Sequence, residues 1–170
     1  MKVQVVDYVD VEKKALELGL TPPTELAILP KNFDTAISVE ELVNESSTPT
    51  IRSLWRQNGI VETRIEKQGT KIPLESRKSW EWVGPVIYIS TWMLTNTAIP
   101  ITLNLISSYL YDVLKGHQHD DGEVTLDFVS EIVEKNKKSK KKTFRRLTIK
   151  CSPKELREIK PEDIINLMDE

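Results

Sequence analysis

The chain has 170 residues, of which 24 are basic and 26 acidic, giving a formal net charge of -2, and it holds one cysteine. That balance excludes a protein basic throughout, as a histone-like protein is, and it argues against global disorder. Cys151 alone can form no intrachain disulfide, and zinc sites that need two or more cysteines are excluded with it.

The length suits one domain or two small ones. Met1-Lys2-Val3-Gln4-Val5-Val6-Asp7 lacks the apolar run of a signal peptide, so a cytoplasmic protein is expected. Val3 to Val9 alternates weakly and reads as a first strand. Val11 to Leu18 reads as a short helix ending near Gly19. Leu20 to Pro30 contains three prolines and reads as a loop with a short extended piece. Ser38 with Glu41 three residues on forms a capping box, starting a helix that runs to about Val43. Thr48 or Thr50 starts another, through Ile51, Leu54 and Trp55 to Asn58-Gly59.

This helix pair has the outline of a helix-turn-helix, with Arg52, Arg56 and Gln57 on its second member. The first member carries Glu40, Glu41 and Glu45, which phosphate would repel, so ordinary helix packing is the expectation. Ile60 to Ile65 reads as a strand pairing with Val3 to Val9. Glu66 to Ser79 is polar and reads as a linker or an exposed loop.

Trp82 to Tyr111 is a run of 30 residues without a charge. Such a stretch left in water would drive aggregation. Its length permits a membrane span. However, Asn96, Asn104 and several hydroxyls would then face lipid unpartnered, and Pro100 divides the run. The better reading is two buried pieces. Pro85 to Leu94 is a helix or a strand, and periodicity does not choose between them. Pro100 to Lys115 is a helix whose apolar stripe is Ile99, Leu103, Ile106, Leu110, Val113 and Leu114.

Glu123 to Val133 and Thr143 to Cys151 alternate with period two. They read as a β-hairpin with a long charged tip. Ser152-Pro153 and Pro161 then start two short helices. The expected fold is therefore α+β: short N-terminal helices and strands, with central apolar helices packed on a C-terminal β-hairpin. Residues 1–75 would form a mixed N-terminal region and 76–170 the region of apolar helices and hairpin, or the two would make one composite domain.

The hairpin tip is the sharpest functional feature. Lys135, Lys137, Lys138, Lys140, Lys141, Lys142, Arg145 and Arg146 are eight positive charges with no acid among them. Of the 24 basic and 26 acidic residues in the chain, 16 and 26 then lie elsewhere, a net of -10. Charge is thus segregated, and a lysine-rich β-ribbon can lie along a phosphate backbone. Phe144 is the only aromatic there, so base stacking is not indicated. The bland alternative is a solvated loop whose lysines keep a sheet edge from aggregating.

His117-Gln118-His119-Asp120-Asp121 matches the opening of the H-x-H-x-D pattern of metallo-β-lactamase-like hydrolases over five residues only. That family needs a histidine directly after the aspartate, where Gly122 stands, and these are the chain's only two histidines. A polar connector is expected. Cys151 has no histidine near it in sequence and reads as a buried thiol. No nucleophile elbow, Walker A or dinucleotide-binding glycine motif occurs, so no catalytic residue, metal site or cofactor is expected. Trp80, Trp82 and Trp92 cluster by the neutral stretch, and tryptophan is enriched at binding hot spots.

The leading expectation is a non-enzymatic protein-interaction or assembly module, offering those tryptophans to a protein partner or a second copy. The second is a nucleic-acid-binding accessory protein using residues 135–146. The third is membrane association through residues 83–114.

Overall fold

The computed structural model describes residues 1–76, 81–90, 93, 102, 104–105, 108–109, 122–136 and 139–169. Strands β1 (Lys2–Tyr8), β2 (Leu26–Leu29), β3 (Trp82–Ile89), β4 (Val124–Asn136) and β5 (Ser139–Cys151) form one five-stranded sheet. Its order is β1-β5-β4-β3-β2. β3 and β4 run parallel, and every other neighbouring pair is antiparallel. Residues 1–75 supply both edge strands and residues 76–170 the three central ones, so the two regions share one sheet.

The expected packing of central apolar helices on a hairpin is corrected here. The start of the neutral stretch is a central strand, and the described helices are short: α1 (Val11–Glu17), α2 (Thr48–Gln57), α3 (Pro153–Glu158) and α4 (Pro161–Asp169). The physical reason lies in burial. Val86 to Ile89 is buried on both faces of the sheet, and a doubly buried strand has a continuous apolar run with no alternation to betray it.

Pro85 also misleads. Proline is excluded from a central ladder except at a bulge. The β3–β4 register shifts between Val83 and Val86, and β2 pairs only with Val86 to Ile89, so Pro85 falls where no ladder bond is needed. Gly84 fits the same irregularity: a Cβ there would meet Leu126 and the Trp82 ring, each at 3.1 Å.

The sheet has an apolar cluster on each face. On one, Leu26, Ile28, Ile87, Ile89, Leu126, Phe128, Leu147 and Ile149 meet Ile51 and Trp55 of α2, Leu156 of α3, and Ile164 and Met168 of α4. On the other, Ala27, Leu29, Val86, Tyr88, Val129 and Phe144 meet Val11 and Ala15 of α1 together with Phe33, Leu42 and Ile65. In β2, β4 and β5, and in β3 from Val86 on, odd and even positions divide between the two clusters, as the pleat requires.

Local signals set the helix ends. The Asp10 side chain accepts from Lys13 N at 3.0 Å to cap α1, and Gly19 follows it with φ +71°. Ser152 and Glu155 form a reciprocal capping box on α3. The helix expected from Ser38 is only a single 3-10 turn, Val39–Glu41, and Ser38 makes no side-chain cap bond. Val39 to Gly59 is accordingly not a helix-turn-helix. Ile60 to Ile65 is not a strand, and β1 pairs with β5 instead. Within the stretch expected as a linker, Leu74 bridges to Asn44 and Glu66 pairs with Arg52.

The Pro100 to Lys115 helix lies mostly outside the described residues. Of it, Thr102, Asn104, Leu105, Ser108 and Tyr109 are helical, and Leu105 and Tyr109 pack on the Phe128 cluster. Among the described residues no helix is long and apolar enough to cross a membrane.

Candidate nucleic-acid interface

β4 and β5 are paired from Val124↔Cys151 to Asn136↔Ser139. Their outer neighbours stop earlier. β3 follows β4 only to Ser130, and β1 follows β5 only from Phe144. Five register pairs, Ile132↔Thr143 to Asn136↔Ser139, therefore run on as a two-stranded ribbon with no further strand paired to it among the described residues. At about 3.4 Å per residue the overhang is roughly 17 Å. The charged tip is thus a continuation of the ladder rather than a long loop.

The basic residues separate into two groups. Lys135, Lys140, Lys141 and Lys142 stand in the overhang, where Lys135 lies directly opposite Lys140 and Lys141 opposite Glu134. Like charges facing each other across a ladder destabilise it. Lys137 and Lys138 lie outside the described residues.

Lys142, near the start of the overhang, and Arg145 and Arg146, within the sheet, lie within reach of acids. Lys142 Nζ is 3.6 Å from Glu131 Oε1 and 3.7 Å from Glu12 Oε1. Arg145 is half-buried and lies opposite Asp7 in register. Arg146 Nε donates to Asp127 Oδ1 at 3.0 Å, and Thr148 Oγ1 donates to the same oxygen at 2.5 Å. Burial works against the Arg146 charge, and the hydrogen bond and charge of Asp127 outweigh it. Arg146 is thus a structural ion pair on the sheet.

Asp127 escaped the reading of the sequence. Its one visible signal is a lone acid in the alternating apolar strand Val124 to Val129. Together Asp127, Arg146 and Thr148 floor a cleft of about 270 Å3 whose rim includes Lys31, Glu45 and Lys150. The rim is already paired: Lys31 Nζ meets Glu75 at 2.7 Å, and Lys150 lies 4.0 Å from Glu123. Nearby, burial and then Asp34 raise the Tyr8 phenol well above its usual value.

Trp82 is half-buried, with its ring centroid 6.5 Å from that of Tyr109 at an interplanar angle of 51°. It packs against the Phe128 cluster. Trp80 and Trp92 lie outside the described residues, as do His117 and His119. Among the described residues no three histidine, cysteine or carboxylate side chains converge as metal ligands.

Cys151 ends β5 with 5% exposure. Burial, and next the charge of Glu155, push its thiol up to about 11. Since the thiolate is the reactive form, Cys151 is expected to resist a chromogenic disulfide reagent at neutral pH in the native protein. It should react at once after denaturation. Fast labelling of the folded chain would contradict this placement.

No family model matches this chain, and neither a curated protein nor a solved structure matches it.

Proposed function

We propose that this protein is a nucleic-acid-binding accessory module that grips the phosphate backbone through its β4–β5 ribbon. One observation carries the reading: the lysine-rich end of the hairpin continues as a ladder past both neighbouring strands. A two-stranded ribbon is of a size that a major groove admits. The facing lysines Lys135 and Lys140 supply the motive. Phosphates would offset the like charge concentrated there, and each neutralised phosphate releases a counterion.

Contact would be to the backbone and largely independent of sequence. Phe144, the one aromatic of the basic segment, is buried and offers no stacking surface. Arg145 and Arg146 would contribute less than the six lysines, because Arg146 is committed to Asp127. The role involves no catalysis, and a cytoplasmic setting goes with it. The protein-interaction reading retains a support of its own in the outer edge of β1.

Fluorescence anisotropy with labelled duplex and single-stranded oligonucleotides tests the proposal. The wild-type chain should bind in low salt. Changing Lys137, Lys138, Lys140 and Lys141 together to alanine should weaken binding on the order of a hundredfold or more. The melting temperature should stay the same or rise, because a cluster of like charges has been removed. Absence of binding in low salt, or equal affinity of the two proteins, would refute the reading.

A further inference from the structure

The two edges of the sheet are protected very differently. β2 has four residues, all buried, with Pro30 directly after it. Its outer side is engaged: Thr63 N donates to Leu26 O at 2.6 Å, and the preceding loop is tied to the same segment by Thr21 N donating to Ile65 O at 2.8 Å. β1 has seven residues and pairs with β5 in unbroken register. It contains no proline and no bulge, and among the described residues its backbone bonds to no strand but β5. Val3, Val5 and Val6 are 37%, 36% and 41% exposed. Proteins normally blunt such an edge with lysines, proline, a bulge or a cover. Here Lys2 stands at one end only.

We propose that β1 pairs antiparallel with β1 of a second copy of this chain, joining two sheets into one. Charge along the strand selects the occupant. Lys2 marks one end and Asp7 the other, so a parallel arrangement would stack like on like. An antiparallel one brings the basic end of each strand to the acidic end of its copy. Two-fold symmetry requires one residue to face itself. With Gln4 facing Gln4, Val3 faces Val5 on one side of the sheet and Lys2 faces Val6 on the other. No like charges then stand opposite, and the valine pairs are of the kind that stabilises a sheet. The two basic ribbons would leave opposite ends of the joined sheet. This pairing does not depend on what the ribbons bind.

Analytical ultracentrifugation of the full chain is the test, without nucleic acid. A monomer–dimer equilibrium is expected. Val5→Lys should move its midpoint to at least about tenfold higher concentration by replacing two facing valine pairs, with an unchanged circular dichroism spectrum. Should that variant fold poorly, Gln4→Cys provides an independent reading, because facing cysteines can bridge and the native Cys151 is buried. Oxidation of this variant should link two chains through position 4. A monomer at every concentration, or a dimer that neither responds to Val5→Lys nor cross-links through position 4, would overturn the inference.

Discussion

Replacing Arg52 with leucine is expected to cost about 3–5 kcal/mol of folding stability, the range for breaking a buried ion pair by removing one partner. Arg52 lies on α2 and holds two carboxylates from the chain that follows. Its Nε is 3.0 Å from Glu62 Oε1, and its Nη2 donates to Glu66 Oε1 at 3.0 Å. All three side chains are nearly enclosed, at 11%, 13% and 10% exposure. Removing this cation leaves the two acids confined together with only the largely exposed Arg64, whose Nε is 3.3 Å from Glu62 Oε1, beside them. The loss should depend on pH in a defined direction. Burial already raises the Glu62 carboxyl above its ordinary value, against the opposing charge of Arg52. A carboxyl raised by folding favours the folded state fully below its unfolded value and loses that contribution as pH rises through the folded one. The deficit of Arg52→Leu against wild type should therefore be largest at neutral pH and should narrow on acidification. Urea melts at several pH values measure it; a deficit independent of pH would show that the two carboxylates are not what Arg52 restrains.

Trp55→Ala is expected to cost about 3–5 kcal/mol, the range for emptying a large aromatic site. Trp55 is 1% exposed and ties α2 to the Phe128 face of the sheet. Among the described residues its buried indole nitrogen has no hydrogen-bond partner. The volume of the ring, and not its polar tip, therefore carries the stabilisation. Trp55→Phe should cost no more than about 2 kcal/mol, because it keeps much of the buried area and removes an unsatisfied donor. A large loss in both variants would mean that the nitrogen has a partner after all.

Much of this architecture was legible where a residue acts on its near neighbours. Asp10, Gly19, Asn58 and Gly59 punctuate helices locally, and β1, β4 and β5 alternate in the way a half-buried or paired strand does. What failed to show depended on residues distant in the chain. Val86 to Ile89 looks the same as buried helix or buried strand, and only its neighbours β2 and β4 decide. Ile60 to Ile65 has the composition of a strand, yet β1 is taken by β5, and this segment is instead held to the outer edge of β2 by the bond from Thr63 N to Leu26 O.

The basic segment was plain in sequence, but its form was not. Lysines have poor strand propensity, and the ladder persists through them because the core hairpin fixes its register. Two partners were also hidden. Arg146 reads as part of a uniform positive tip until Asp127, on the adjacent strand, is found bonded to it. Arg52 reads as a groove-facing residue until Glu62 and Glu66 fold back onto it.

The ribbon is the centre of this account, and the dependence of nucleic-acid affinity on salt tests it most directly. The logarithm of the association constant should fall linearly with the logarithm of salt concentration. Its slope should be about -0.9 for each duplex phosphate neutralised. The variant with Lys137, Lys138, Lys140 and Lys141 changed to alanine should show a slope shallower by roughly 3 to 4. Parallel lines for the two proteins, or affinity that does not respond to salt, would contradict the account.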